Sequence, residues 1–340
     1  MSKARKQEGQ SPIIIVITPV RNEAWVLDAF LTCTSSWADY IILADQHSTD
    51  GSREIAAKYE KVILVDNDLP EMNQAAARLL LFKEVDKIEG DKIVFALDAD
   101  EFLSEGFEKT EGWQRIVNSK PNEIFCFKWL NLYGDYRHAL PESGYTEWAC
   151  HFESSINIAE EYDNCERRAV HEMRIPCLPI ERAEYVMIPD IKFVHLSFIN
   201  LERTRNKQDF YEVSTLAKLV QQKSAVTMFR TYHRPTPRTN TLNGEVRLYC
   251  KDNQDYDARY LLGNDEGKYY IDEMLSIFER DGLGKYLKLD IWDNPYLKAA
   301  GINPKLPLRI RLLHWYLRKT QEVSDSMIVK VVDKLLKRFC

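Results

Sequence analysis

The stretch IIIVITPVRNEAWVLDAFLTCTSS (Ile13–Ser36) changes period in its middle, and that change sets the reading of the chain. Ile13–Thr18 is an unbroken run of β-formers, as in a strand buried on both faces of a parallel sheet. From Glu23 to Ser35 the apolar spacing becomes helical. The same alternation then repeats: strands are predicted at Tyr40–Ala44, Val62–Val65 and Ile93–Leu97, helices at Ser52–Tyr59 and Met72–Lys87. Thr49-Asp50-Gly51-Ser52 supplies side chains suited to cap the first turn of the second helix. Strand–helix alternation with short loops predicts βαβ units, hence an α/β fold with a mostly parallel central sheet flanked by helices.

Composition bounds the alternatives. Hydrophobic residues at 45% and aromatics at 11% supply a sizeable core, which excludes a disordered or low-complexity chain. With 340 residues, one large domain with an appendage is expected. The longest apolar run, Ile13–Ile17, falls far short of the roughly 20 residues of a spanning helix. Met1–Gln10 is polar and predicts no secretory leader. Seven cysteines without a Cys-x-x-Cys pair argue against a disulfide scaffold and a zinc knuckle, and predict a reduced, cytosolic protein. A net charge of −6 argues against broad nucleic-acid binding.

After Phe102 the pattern loosens. A helix is predicted over Phe107–Asn118, a strand over Ile124–Trp129, strand pieces within Val186–Leu196 and a helix over Leu201–Lys223. Two amphipathic helices, Leu306–Lys319 and Ser324–Phe339, close the chain. Nine Lys/Arg against three Asp/Glu give residues 303–340 a net charge of +6 on an otherwise acidic body.

In an open parallel sheet, ligands bind outside the carboxyl ends of the strands. Here those ends carry Thr18-Pro19-Val20-Arg21-Asn22-Glu23, Asp45-Gln46-His47-Ser48 and Asp98-Ala99-Asp100-Glu101. No Gly-x-Gly-x-x-Gly and no Gly-Lys-Ser/Thr is present, so no backbone cradle for phosphates is indicated. The other way to hold a diphosphate is a divalent cation gripped by carboxylates. Asp98 and Asp100, two apart in extended geometry, point the same way and suit Mg²⁺ or Mn²⁺.

TPVRNEAWVLDAFL, ILADQHSTDGS and VFALDADEFLS, in that order and spacing, resemble the family 2 glycosyltransferases, whose nucleotide-sugar-binding fold is the A type. The resemblance covers residues 12–105 and implies inverting transfer from a nucleotide-diphosphate sugar to an acceptor hydroxyl with a divalent metal. It implies that Asp45 binds the nucleobase, Asp98 the ribose or diphosphate, and Asp100 the metal, with Thr18, Arg21 and Glu23 lining the nucleotide pocket. Many relatives have Asp-Asp-Gly-Ser where this chain has Asp45-Gln46-His47-Ser48, which leaves the base open. RRAVHEMRIP (Arg167–Pro176) and FVHLSFINLERTRNKQDFY (Phe193–Tyr211) resemble a bacterial branch that includes lipopolysaccharide-core transferases. That implies Glu172 as general base, with Glu153 its competitor, and His195 beside the metal. Arg203 and Lys207, four apart on one helix face, would meet the departing diphosphate.

The organisation expected is a disordered start (1–11), a nucleotide-sugar half (12–105), an acceptor-binding and catalytic half (106–223) and a mostly helical C-terminal extension (224–340). Trp129, Tyr133, Tyr136, Tyr145 and Trp148 would stack on sugars or, more ordinarily, pack the core. A sugar nucleotidyltransferase is the rival enzyme, although its Gly-rich basic loop is missing; a non-catalytic nucleotide-sugar-binding protein is the third reading. The acceptor would be a glycan or lipid-linked glycan of the bacterial cell surface. The basic amphipathic tail predicts peripheral contact with an anionic inner leaflet, unless both apolar stripes are simply core.

Overall fold

The computed structural model describes residues 11–69, 73–165, 174–176, 182–218, 223–233, 238–251 and 253–337. They divide into two compact units: Met1–Leu132 with Pro141–Ser197 and Thr241–Asn264, and Tyr133–Leu140 with Phe198–Asn240 and Asp265–Cys340.

The first unit is the α/β body. Its strands are β1 (Ile13–Val20), β2 (Tyr40–Asp45), β3 (Val62–Asp66), β4 (Lys92–Ala96), β5 (Glu101–Leu103), β6 (Glu123–Tyr133), β8 (Thr146–Phe152) and β9 (Glu184–Phe198); the short β7 (His138–Ala139) falls in the second unit. β1 lies between β2 and β4, parallel to both, and β3 continues the parallel run beyond β2. β8 is antiparallel to β4, β6 to β8 and β9 to β5. The order β6-β8-β4-β1-β2-β3 therefore has a parallel half and an antiparallel half.

The parallel strands are covered on both sides, which is why they are apolar throughout. Ile15, Ile17, Ile42, Ala44, Val94 and Ala96 pack with Leu81, Phe82 and Val85 of α3 (Gln74–Val85) and with Tyr162 of α5 (Ile158–Asp163). The other helices of this unit are α1 (Ala24–Ser35), α2 (Ser52–Ala56) and α4 (Glu111–Val117). The helix expected over Phe107–Asn118 is broken by Thr110, whose hydroxyl accepts the Trp113 amide at 3.1 Å and so starts α4 afresh.

The expected breaks at 105/106 and 223/224 do not match the units. β8 and β9 return to the sheet, and residues 241–264 return to α1. There the Gly263 amide donates to the Trp25 carbonyl at 2.7 Å, and a Cβ on Gly263 would stand 3.2 Å from the Trp25 Cα. Only glycine allows that approach without a shift.

The second unit is helical: α6 (Leu201–Lys218), α7 (Ala225–Tyr232), α8 (Lys268–Asp281), α9 (Pro295–Ala299), α10 (Leu308–Thr320) and α11 (Met327–Leu336). Ala225, Val226 and Phe229 of α7 pack against Leu313 and Leu317 of α10. Arg230 pins the same helices, pairing with Asp333 at 2.9 Å and donating to the Leu317 carbonyl at 3.1 Å. Among the described residues, no helix is long and apolar enough to cross a membrane.

Candidate active site at the carboxyl ends of the strands

β1 and β2 end level with each other, Val20 opposite Asp45. Each then turns through a left-handed residue, Asn22 (φ 54°) and His47 (φ 51°), residue types that tolerate this region. Side chains stitch the two turns together. Asn22 Oδ1 accepts the Thr49 amide at 2.7 Å, and Ser48 Oγ accepts the Asn22 amide at 2.8 Å. Ser52 Oγ and Asp50 Oδ2 accept the Glu23 and Ala24 amides at 3.0 and 2.8 Å. Asp50 and Ser52 serve both helices: beside the α1 amides, Asp50 Oδ1 accepts the amide of Ser52, the first residue of α2, at 3.0 Å, with Gly51 (φ 97°) at the N-cap position. The result is a fixed rim carrying Arg21 and Glu23. Glu23 Oε2 accepts the Trp25 indole N–H at 2.7 Å.

Asp45 is the innermost acid of this rim, 1% exposed. Its Oδ2 accepts the Ser48 amide at 3.2 Å and the Arg53 guanidinium at 2.9 Å, while Arg53 also grips Asp66 at 2.8 Å. Its Oδ1 is buried without a hydrogen-bond partner, as is the Thr18 hydroxyl on β1. A buried acceptor left unmade costs about 1–3 kcal/mol, so such atoms mark where a ligand's donors belong.

The second acidic cluster follows β4. The strand stops at Ala96, and Asp98–Asp100 form a turn instead of the extended geometry expected, closed by the Glu101 amide donating to the Asp98 carbonyl at 3.1 Å. Arg174 reaches into this turn. Its guanidinium donates to Glu101 at 2.8 Å through both nitrogens, to Asp98 Oδ2 at 2.9 Å and to the Ala96 carbonyl at 2.9 Å. Its far side lies 4.3 Å from the Trp148 ring centre, and Trp129 donates its indole N–H to Glu101 at 3.0 Å. Both tryptophans thus wall the site, and Trp148 is fully buried. Arg78 of α3 faces Asp98 from the other side at 3.5 Å.

These neighbours set the charges. Burial works to raise the Asp98 carboxyl, but Arg174 and Arg78 outweigh it and hold it below the usual range. Burial pushes the wholly enclosed Glu101 up despite Arg174. Arg78 is pulled down by burial and by the like charge of Arg174; its Nε and Nη1 are buried without partners. The Asp98 side chain remains 35% exposed, so it lies open to a ligand.

Asp100 and His195 form the third part. β5 and β9 pair Glu101 with His195, which brings His195 Nε2 to 3.6 Å from Asp100 Oδ1. His195 Nδ1 stands 2.6 Å from Asn131 Oδ1, and its ring stacks on Trp129 with centroids 5.5 Å apart. In the neutral imidazole, a proton on Nδ1 donated to the Asn131 oxygen leaves the Nε2 lone pair on the Asp100 side. Two lone pairs at that spacing fit a shared cation, and a ligand histidine whose other nitrogen is hydrogen-bonded is the usual arrangement. The imidazole–carboxylate donor set suits Mn²⁺, and Mg²⁺ through its carboxylate. Asp98, also expected as a metal ligand, is paired with Arg174 and Arg78. Among the described residues no group of three His, Cys, Asp or Glu converges, so phosphate and water would complete the shell.

The remaining candidates are Glu153, Glu172, Arg203 and Lys207. Glu153 follows β8, whose Phe152 pairs with Lys92 at the start of β4; it stands at the end of the sheet opposite the Asp98–Asp100 turn. Glu172 lies outside the described residues. Arg203 and Lys207 belong to the second unit, where Arg203 is 3% exposed, pairs with Asp265 at 2.9 Å and lies over the Tyr270 ring. The expected site omitted Arg78 and Arg174. For Arg78 a signal existed: it is the one charge in the apolar run Ala75–Phe82 of α3. For Arg174 the signal is its place within RRAVHEMRIP, a segment whose lack of period says nothing of which of its arginines reaches the sheet.

Residues 15–130, which hold most of β1, all of β2–β5 and most of β6, match the family model of glycosyl transferase family 2. With the parallel sheet, its flanking helices and the C-terminal helical region, this agrees with the A-type glycosyltransferase fold. No curated protein sequence matches the chain. Among solved structures it is similar to a crystal structure of 4-diphosphocytidyl-2C-methyl-D-erythritol synthase, with TM-score 0.32 and 10% identity, covering 46% of this chain and 81% of that one. It is also similar to HddC from Yersinia pseudotuberculosis, with TM-score 0.31 and 11% identity, covering 55% of this chain and 93% of that one.

Proposed function

We propose that this chain is an inverting glycosyltransferase that moves a sugar, of hexosyl type, from a nucleotide-diphosphate sugar to an acceptor hydroxyl. The observation that carries the reading is that both polar clusters at the carboxyl ends of the strands hold buried atoms without partners: Thr18 Oγ1 and Asp45 Oδ1 on β1 and β2, and Nε and Nη1 of Arg78, whose Nη2 faces Asp98. The carboxylate oxygen suits the N–H donors of a nucleobase, and the guanidinium N–H groups suit a diphosphate. In this reading Asp45 accepts a ring or exocyclic N–H of the base. Arg78 and Asp98 meet the ribose and diphosphate, and Arg21 and Glu23 flank them.

Asp100 and His195 would hold Mn²⁺ or Mg²⁺, which when bound neutralises the charge gathering on the departing diphosphate. The chain's own part is to orient the donor and exclude water: Trp129 and Trp148 wall the site, while Arg174 fixes the turn that presents Asp98 and Asp100. The acceptor oxygen attacks the anomeric carbon as the bond to the diphosphate oxygen breaks, and the hydroxyl proton passes to a base. We assign the base to Glu172, two residues before the rim-anchored Arg174 in sequence; Glu153 is not carried forward. The acceptor in this reading is a glycan or lipid-linked glycan of a bacterial cell surface, met on the cytoplasmic side.

The test is incubation of the full chain with a panel of nucleotide sugars, with and without chelator, following release of nucleoside diphosphate. Slow release from one donor, lost on chelation and restored by Mn²⁺ or Mg²⁺, is expected. Release undiminished in chelator overturns the metal assignment. Pyrophosphate-dependent formation of nucleoside triphosphate identifies a nucleotidyltransferase instead, and binding without turnover a non-catalytic protein.

A further inference from the structure

The tail helices turn only half of their apolar residues inward. On α10, Ile310, Leu313 and Leu317 are buried, while Leu308, Leu312 and Trp315 are 68%, 56% and 62% exposed. Those three are spaced i, i+4, i+7, so they form a stripe on the face turned away from the core. On α11, Val329 is buried, whereas Met327, Ile328, Val331 and Leu335 are 80%, 78%, 55% and 53% exposed. Such a density of bare large side chains on two adjoining helices is not the scatter of single apolar residues that a protein surface normally shows. The tail stripes are therefore not ordinary core.

Charge selects the occupant. Arg309, Arg311, Lys319, Lys330, Lys334 and Lys337 are all exposed on the same two helices. Residues 303–340 carry a net charge of +6. A second copy of this chain docked face to face would bring two such fields together, which opposes self-association. An anionic bilayer surface satisfies both features: apolar side chains enter the headgroup–acyl boundary while Lys and Arg meet the headgroups. Trp315 is the residue type favoured at that boundary. We propose that the outer faces of α10 and α11 form a docking surface for anionic lipid, holding the protein peripherally on a membrane. This inference stands on the second unit alone and is independent of the transferase reading.

The test is sedimentation of the full-length protein with vesicles of phosphatidylcholine alone or mixed with phosphatidylglycerol. Truncating the tail is unsuitable, because Leu313 and Leu317 fill the core against α7. Point variants on exposed positions leave the core intact, and circular dichroism checks that they fold. Binding is expected to mixed but not to neutral vesicles, and to weaken with salt. Arg311→Glu with Lys334→Glu should lower partitioning by about tenfold or more, and Leu312→Ser with Trp315→Ser should abolish it. Protein that stays in the supernatant at low salt overturns the proposal. So does binding that both double variants leave unchanged. A concentration-dependent dimer in the ultracentrifuge, broken by Leu312→Ser with Trp315→Ser, makes the surface a self-association face and overturns it equally.

Discussion

The two ends of the central sheet both carry acids, and they treat them differently. At the carboxyl end of the parallel strands, Asp45 pairs with Arg53, Asp98 with Arg78 and Arg174, and Asp100 stands beside His195, and several buried polar atoms are left without partners. At the other end, Glu153, Glu160, Glu161 and Arg182 line an open cavity of about 560 Å³. The Glu153 carboxylate there only accepts the Ser155 hydroxyl at 3.0 Å. The first end gathers several carboxylates around shared arginines; around Glu153 the charges stand toward solvent, where pairing contributes little, and the buried acid of that end, Glu123, pairs with Arg115. Acid count therefore does not locate the site, nor does one buried ion pair; several buried carboxylates and arginines together at the carboxyl ends of parallel strands do.

The comparison breaks most sharply at Asp100. Asp100→Asn keeps the size and the turn but removes the negative charge facing His195. It should lower transfer by about a thousandfold or more, on the scale of losing a principal electrostatic contact in a transition state. The fold should be unchanged by circular dichroism. Near-normal turnover in the donor panel would remove Asp100 from the machinery.

Arg174→Met tests that gathering of charges itself. It strips Glu101, wholly buried, of its charge partner and leaves Asp98 with Arg78 alone. Breaking a buried pair in this way costs about 3–5 kcal/mol, to be read as a lower urea midpoint. Arg174→Lys should restore little, because one ammonium cannot reach Asp98, both oxygens of Glu101 and the Ala96 carbonyl together. Unchanged stability would mean that the rim is not held by charge.

Asp45→Ala is smaller in effect and sharper in meaning. The buried Oδ1 awaits a donor in the free protein, so removing it should weaken nucleotide binding by about 1–3 kcal/mol, roughly tenfold or more, by calorimetry. Arg53 would also lose one of its two carboxylates but keep Asp66, and it is half-solvated, so stability should move far less than affinity. Loss of stability without loss of affinity would make Asp45 a structural anchor for Arg53.

The parallel half of the sheet was legible because each strand is buried on both faces and each is followed by a polar strand end. The strands begin where Ile13, Tyr40, Val62 and Lys92 stand, within a residue of the sequence reading. What escaped depended on distant pairing. β9 runs fifteen residues, Glu184–Phe198, where only strand pieces were read, because its exposed and buried positions do not alternate cleanly. Arg174 owes its place to contacts across more than seventy residues of sequence, and His195 to the register of β9 on β5. The tail was read as amphipathic, yet periodicity gave a face without saying what covers it; only the exposure of Met327 and Ile328 separates a docking stripe from core.

The smallest expected effect is at Glu153, and it tests the comparison of the two ends most directly. From chemistry alone Glu153 is a fair general base: a carboxylate beside His151, in the segment between the metal turn and the later motifs. Register decides otherwise. β8 runs antiparallel to β4 with Phe152 opposite Lys92, so the chain leaves the sheet at Glu153 where β4 enters it. Asp98 lies six residues further along, roughly 20 Å away at about 3.3 Å per residue. A base must stand within a hydrogen bond, or one water, of the proton it takes, and no side-chain rotation covers that span. Glu153→Gln keeps the shape and an oxygen for the Ser155 hydroxyl. Turnover and nucleotide affinity should therefore stay within about twofold of the parent in the donor assay. A loss of a hundredfold with the fold intact would place chemistry at the open end of the sheet, and the contrast between the two ends would fail with it.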